Sequence, residues 1–250
     1  MQQYLLPLLL LLLPAWLIGQ HTSGIITYEE VVQIQIDLPE EVKAMAIEIP
    51  TENKTQKELY FTAEHSLFKN KASDEGPETI EADGGDFKFK MVRSMPDNQI
   101  YKNLTTKQTV QLEEFFGKKF LIAGELRTYE WKMTGEQKPI MDMLCLQAIS
   151  ADTSKKIEAW FTPQIPIGTG PDLLVGLPGI VLEMTLDDGQ RKLTATNIEF
   201  KEFAEGEIAA PTKGKSVTQE EYKEIVDEKM KEMEEEMGGK GGVRVITRHE

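Results

Sequence analysis

Cysteine is nearly absent from this chain: Cys145 is the single one in 250 residues. An internal disulfide is therefore excluded, and the fold must be stabilised by burial alone. Histidine is almost as scarce. His21 and His249 lie near the two ends, which leaves His65 alone within the body of the chain. Catalysis near neutral pH calls for a base, an activated nucleophile or a metal. The sequence has no Gly-x-Ser-x-Gly elbow, no His-Glu-x-x-His pair and no phosphate-binding glycine loop before a helix, so no catalytic residue is named and no cofactor is implied. Gly238-Gly239-Lys240-Gly241-Gly242 has the composition of a phosphate loop but follows a helix pattern. Basic residues are also in deficit, 28 Lys and Arg against 42 Asp and Glu, for a net charge of −14 and a pI of about 4.8. That balance argues against nucleic acid and against anionic membrane surfaces as partners.

What is present begins with an apolar N-terminus. Leu5 to Leu13 is broken only by Pro7, and Leu17-Ile18-Gly19 offers a small-residue cleavage point before Gln20. Residues 1–19 read as a signal peptide, although the run lacks a preceding Lys or Arg. It is too short for a confident membrane span, and no basic stop-transfer cluster follows. No cysteine stands at the cleavage point, so the expected product is an exported periplasmic or cell-envelope protein rather than a lipoprotein. About 230 residues remain, enough for one domain with a tail. The expected organisation is a β domain over 20–209, a linker over 210–216, a helix over 217–238 and a disordered tail over 239–250.

Within the β domain the dominant signal is alternation of apolar and polar residues between turn residues, the pattern of an antiparallel sheet. Ile25 to Gln35 predicts a first strand and Lys57 to Lys69 a second, with Leu59, Phe61 and Ala63 on one face. Asp37 to Gln56 reads as a short strand and a polar turn, and the acidic, glycine-rich Ala72 to Gly85 as a mobile loop. Phe87–Val92 and Gln99–Leu104 follow around Met95-Pro96-Asp97-Asn98. Gly117-Lys118-Lys119 predicts a hairpin turn. Tyr129, Trp131 and Met133 share a strand face that Gly135 ends. Met141 to Ile149 is apolar on both faces and reads as a central, doubly covered strand. Ile157 to Thr162 puts Ile157, Ala159 and Phe161 on one side and Trp160 on the other. Gly176-Leu177-Pro178-Gly179-Ile180 predicts a type II turn with positive φ at Gly179. Ile180, Leu182, Met184 and Leu186 then alternate toward Asp187-Asp188-Gly189-Gln190, a hairpin turn before Lys192–Phe203.

After Ala210 the period changes. Pro211 to Lys215 is a linker, Thr218 and Glu221 form a capping box, and Val217 is placed to staple the helix start. Tyr222, Ile225, Val226, Met230, Met233 and Met237 make one apolar stripe on an otherwise acidic helix that Gly238-Gly239 stops.

One sulfur strip carries a chemical hypothesis. Met141, Met143 and Cys145 lie two apart, so a strand would place them on one face, where thioether and thiolate suit Cu(I) or Zn. The plainer reading is a methionine-rich core strand. Buried, Cys145 would be inert.

Trp131, Cys145 with Ala148, Trp160, Ile165-Pro166, Gly170-Pro171 and the Gly176-Leu177-Pro178-Gly179-Ile180 segment occur in an order and spacing that resemble the GLPGLI family. Ile180 stands for that family's second leucine, and Lys138-Pro139-Ile140-Met141 departs from its usual lead into the cysteine strand. Members are secreted proteins of Bacteroidetes-type bacteria with no established biochemical role. The resemblance implies an exported, mostly β fold. The expected form is a single curved antiparallel sheet similar to the half-barrels of periplasmic lipoprotein carriers, with a C-terminal amphipathic helix. Gly170, Pro171, Gly176, Leu177, Pro178 and Gly179 are expected to be architectural. Two non-enzymatic functions follow as expectations. In one, an apolar small molecule or lipid sits on a concave face lined by Tyr129, Trp131, Trp160, Phe161 and Leu182, with the helix as a lid. In the other, the helix is the contact ridge for an envelope protein of an outer-membrane transport or secretion system.

Overall fold

The computed structural model describes residues 22–33, 36–37, 51–72, 78–83, 88–93, 96–152, 156–237 and 244–245. The expected signal peptide over 1–19 and most of the expected tail over 239–250 lie outside them. In chain order the strands are β1 (Gly24–Gln33), β2 (Ile36–Asp37), β3 (Glu52–Phe61), β4 (His65–Asn70), β5 (Glu78–Asp83), β6 (Lys88–Arg93), β7 (Gln99–Asn103) and β8 (Gln108–Phe115). They continue as β9 (Lys118–Glu125), β10 (Trp131–Ile140), β11 (Met143–Ser150), β12 (Ile157–Thr162), β13 (Ile180–Leu186), β14 (Arg191–Phe200) and β15 (Lys215–Val217). Helix α1 (Gln219–Met237) and β16 (Arg244–Val245) complete the chain.

Twelve strands form one open, curved sheet in the order β10-β11-β12-β13-β14-β1-β3-β4-β7-β8-β9-β15. Every pairing is antiparallel except β15 on β9. Two meanders are thus joined by the first strand. β1 pairs with β14 from Gly24↔Phe200 to Val32↔Arg191 on one side, and with β3 from Gly24↔Phe61 to Gln33↔Glu52 on the other. The mostly β architecture with one C-terminal helix is the one the alternation predicted. Separate two-stranded pairs are β5 with β6 and β2 with β16.

The register defines an inner face. Ile26 and Tyr28 of β1 stand opposite Leu59 and Lys57 of β3, Leu59 opposite Phe68 of β4, and Phe68 opposite Ile100 of β7. Residues 163–179, between β12 and β13, fold back onto this face. Ile165, Ile167, Leu174 and Leu177 are buried in one cluster with Ile26, Tyr28, Leu59, Phe61 and Phe68. Burying these four aliphatic side chains contributes on the order of 8 kcal/mol before entropy is subtracted.

Several expectations are corrected. Lys57–Lys69 is two strands, because the Thr62 hydroxyl accepts the Glu64 and His65 N–H groups and turns the chain without glycine or proline. Residues 78–83, read as part of a loop, form β5 against β6. Gly135 does not end a strand: at φ +89° it sits in a bulge between Met133 and Gln137 of β10. Met141 and Asp142, at φ 50° and 62°, are the two-residue turn between Ile140 and Met143, so Met141 is not in a strand. β11 is next to the edge strand rather than central, and Leu144 is 48% exposed. Arg244–Val245, within the expected disordered tail, pairs with β2.

The glycine roles also differ. Gly176 holds positive φ, +96°, whereas Gly179 does not and is needed because a Cβ there would lie 2.2 Å from the Thr162 carbonyl oxygen. Overpacking against backbone costs about 1–3 kcal/mol. Gly179→Ala should therefore lower the thermal midpoint by about 5 °C or more. Gly189→Ala strains only its own φ, with no atom within 4 Å of the new Cβ, and should lower it less; circular dichroism melting of both variants checks the order.

Candidate functional site

The polar residues of the inner face hold the 163–179 segment in place. Lys102 of β7 is wholly buried, and its ammonium donates to the carbonyls of Gly170 at 2.6 Å, Asp172 at 2.7 Å and Leu174 at 3.4 Å. Burial pushes its pKa down to about 7, with the Asp172 carboxylate pulling the other way. Arg191, at the start of β14, donates to both oxygens of Asp172 and, at 2.6 Å, to Glu30 of β1. Glu30 also accepts from the Thr55 hydroxyl at 2.7 Å and lies 3.3 Å from the Lys57 ammonium. Burial alone would raise the Glu30 carboxyl, but Arg191, Lys57 and Thr55 outweigh it and hold the pKa below the usual carboxylate range.

Neutral bonds complete the attachment. The Tyr28 hydroxyl donates to the Val181 carbonyl at 2.6 Å, the Ser66 and Thr169 hydroxyls are 3.0 Å apart, and the Trp131 indole N–H donates to the Val175 carbonyl at 3.0 Å. Glu113 of β8 stands at the border of this network. Burial first, then the nearby Asp172 charge, pushes its carboxyl up to about 7 against Lys57 and the Asn98 amide.

The residues predicted to line a ligand site belong to the main hydrophobic cluster, Trp160, Phe161 and Leu182 as buried members and Tyr129 and Trp131 packed against it. Phe161 and Leu182 are buried in the core at 1% and 0% exposure. Trp160 is on the opposite face, in register with Gln147 and Glu183. Its indole N–H donates to Glu158 at 2.8 Å, and the Lys138 ammonium lies 4.1 Å from its ring centroid. Lys138 and Lys192 both pair with Glu183. Tyr129 and Trp131 are both half-buried, with ring centroids 5.6 Å apart.

The sulfur strip is not formed either. Met141 is in the exposed turn, Met143 is half-buried and Cys145 is wholly buried. Burial pushes the Cys145 thiol up to about 11, which keeps the free thiol protonated and unreactive at neutral pH. Among the described residues no three His, Cys, Asp or Glu side chains gather as metal ligands.

Helix α1 lies on the far end of the inner face. The capping box forms as predicted, with Glu221 accepting the Thr218 N–H at 2.8 Å and the Thr218 hydroxyl accepting the Glu221 N–H at 3.1 Å. Tyr222 and Ile225 pack on Phe120, Ile122 and Val217, the Tyr222 and Phe120 rings 5.5 Å apart. Farther along, Met230 is 42% exposed. The helix therefore covers the β9–β15 end and is no lid over Phe161 and Leu182.

Lys102, Arg191, Glu30 and Asp172 were not singled out from the sequence. The signal was present for three of them. Glu30 follows Ile26 and Tyr28, Lys102 sits between Ile100 and Leu104, and Arg191 precedes Leu193 and Ala195, each charge in an apolar register.

Residues 150–183 match a family described as "Protein of unknown function (Porph_ging)". No curated protein matches the chain. Two solved structures of PNGF-II are similar in fold. The P21 form has a TM-score of 0.55 at 15% identity over 82% of this chain, and the C2 form 0.50 at 16% over 80%. The matches cover 33% and 32% of those chains, so this chain spans about a third of their length. At such identity the likeness concerns fold alone. The family match spans the end of β11, β12, the folded-back segment and the start of β13. Its loop is therefore the part that Lys102 and Arg191 fasten.

Two variants test this network. Lys102→Met keeps the aliphatic stem and orphans three carbonyls, at about 1–3 kcal/mol each when a buried acceptor is left unpaired. It should lower the midpoint and speed proteolytic cleavage within 163–179. Glu113 has a folded-state pKa of about 7 against 4.5, so its stabilising proton is fully held below about pH 4.5 and lost as pH rises through 7. Glu113→Gln should gain stability on the parent between pH 5 and pH 8; an equal difference at both pH values would contradict the assignment.

Proposed function

We propose that this chain is an exported, non-catalytic protein of the cell envelope whose working surface is the C-terminal helix, where it contacts another protein. The observation that supports this reading is how the apolar surface is distributed. The inner face, where a lipid or other apolar molecule would have been held, is filled by the chain's own residues 163–179. The stripe of α1 packs on the sheet at Tyr222 and Ile225, Val226 and Met233 are half-buried, and Met230 stays exposed. An amphipathic helix gains most of its stability from what its apolar face packs against, so a stripe left open is a place for a partner. The apolar N-terminal run supports export, and the absence of a histidine-based or thiolate site supports a role without catalysis.

A photo-reactive residue at position 230, in the full chain expressed in its native envelope, should give a discrete protein adduct. Met230→Glu with Met233→Glu should abolish copurification of that protein while leaving the melting midpoint nearly unchanged, as surface changes do. Saturable binding of an apolar fluorescent probe by the pure chain, with no adduct from position 230, would overturn this reading in favour of the carrier.

A further inference from the structure

The two edges of the long sheet are protected differently. At one edge, β10 carries Lys132, Lys138, Pro139 and the bulge at Gly135, devices that discourage another strand from pairing. At the other edge, β15 is bonded to β9 through Lys215↔Phe120, Ser216↔Leu121 and Val217↔Ile122. Among the described residues no strand lies on its far side. A cavity of about 270 Å³ opens there, between β15 and the first turns of α1.

The lining is specific in chemistry. Val217 and Ile225 supply an apolar floor, and Glu221, Glu224 and Glu228 line the helix side, at the three- and four-residue spacing that puts them on one helical face. Glu221 is already engaged in the capping box, so Glu224 and Glu228 are the charges a visitor would meet. Lys215 is the one cation in the lining.

We infer that this edge takes up an extended polypeptide segment of a partner protein, with basic and apolar residues both on its helix-facing side, which adds to β15 as a further strand. Main-chain bonds to β15 would supply affinity. Alternation sets the side chains. Residues at every second position face the helix, where apolar ones reach Val217 and Ile225 and Lys or Arg reach Glu224 and Glu228. This inference rests on the reading of α1 as the partner-facing side and names what the partner must present.

The test uses the full chain and a labelled Lys-Thr-Val-Thr-Lys-Thr-Val peptide, which as a strand carries Lys and Val on one face, followed by fluorescence anisotropy. Saturable binding is expected, weakened at least tenfold by Glu224→Lys with Glu228→Lys. The charge-matched pair Glu130→Lys with Glu136→Lys, at the opposite edge, should leave it within about twofold, as should Met230→Glu. Hydrogen exchange at residues 215–217 should slow in the complex. Absence of saturable binding, or equal loss in both charge-reversed variants, overturns the inference, the second by showing general attraction to an acidic chain. Self-association lost on reversing Glu224 and Glu228 would also overturn it, by giving the edge to a second copy. A peptide that fails while the position 230 adduct persists removes the strand site only; failure of both removes the interaction reading as well.

Discussion

A charge turned toward the inside of a sheet is tolerated only when its partners are fixed in place, and this requirement ties the longest irregular segment of the domain to its strands. Glu30, Lys102 and Arg191 point inward from β1, β7 and β14, which are spread across the sheet. Arg191 joins Glu30 to Asp172, and Lys102 binds three carbonyls around the same residue. Removing one partner from a buried pair costs about 3–5 kcal/mol, because the other charge is left without compensation. The 163–179 segment is thus held as much by the need to satisfy the sheet's own buried charges as by burial of Ile165, Ile167, Leu174 and Leu177.

That arrangement changes what the signature-like residues mean. Gly176 and Gly179 let the segment turn and approach the Thr162 carbonyl, and Leu177 between them is buried against the sheet. A motif of this kind is an anchor for the fold. The curved sheet has the outline of a container, but its contents are covalently part of it. Any apolar guest would first have to displace aliphatic side chains, three carbonyl bonds to Lys102 and the ion pairs of Arg191. The similarity to PNGF-II extends to architecture and stops there.

Much of this fold was legible because period-two alternation survives wherever one face of a strand is buried. β1, β6, β7, β12 and β13 are found within one or two residues of their predicted positions. The errors fall where the chain turns by side-chain chemistry or conformation rather than by Gly or Pro. Thr62 makes its turn with a hydroxyl, and Met141 and Asp142 adopt positive φ without being glycine. The converse error is Gly135, a glycine that bulges a strand instead of ending it. The site was harder to read. A Lys in the register of Ile100 and Leu104 signals an inward charge, but its partners are backbone carbonyls about 70 residues away, and carbonyls have no sequence signature. Trp160 was placed correctly on the opposite face from Phe161. Its ring is buried in the main hydrophobic cluster, with the Lys138 ammonium over it.

The remaining asymmetry lies in the helix. Nineteen residues at about 1.5 Å each make a rod near 28 Å long, and Tyr222 and Ile225 in the first turns pack it on the β9–β15 cluster. Acidic residues on its other faces repel one another and favour solvent, so they give the distal half no surface to lie against. A helix anchored at its first turns, with Met230 exposed farther along, leaves part of its apolar stripe open. Binding a surface to that stripe would add burial the domain itself does not provide. The same capping box that fixes the helix start also fixes the position of Glu224 and Glu228 beside β15. Any change in the helix entry angle would therefore alter the groove and the ridge together, which makes the two surfaces parts of one structural unit.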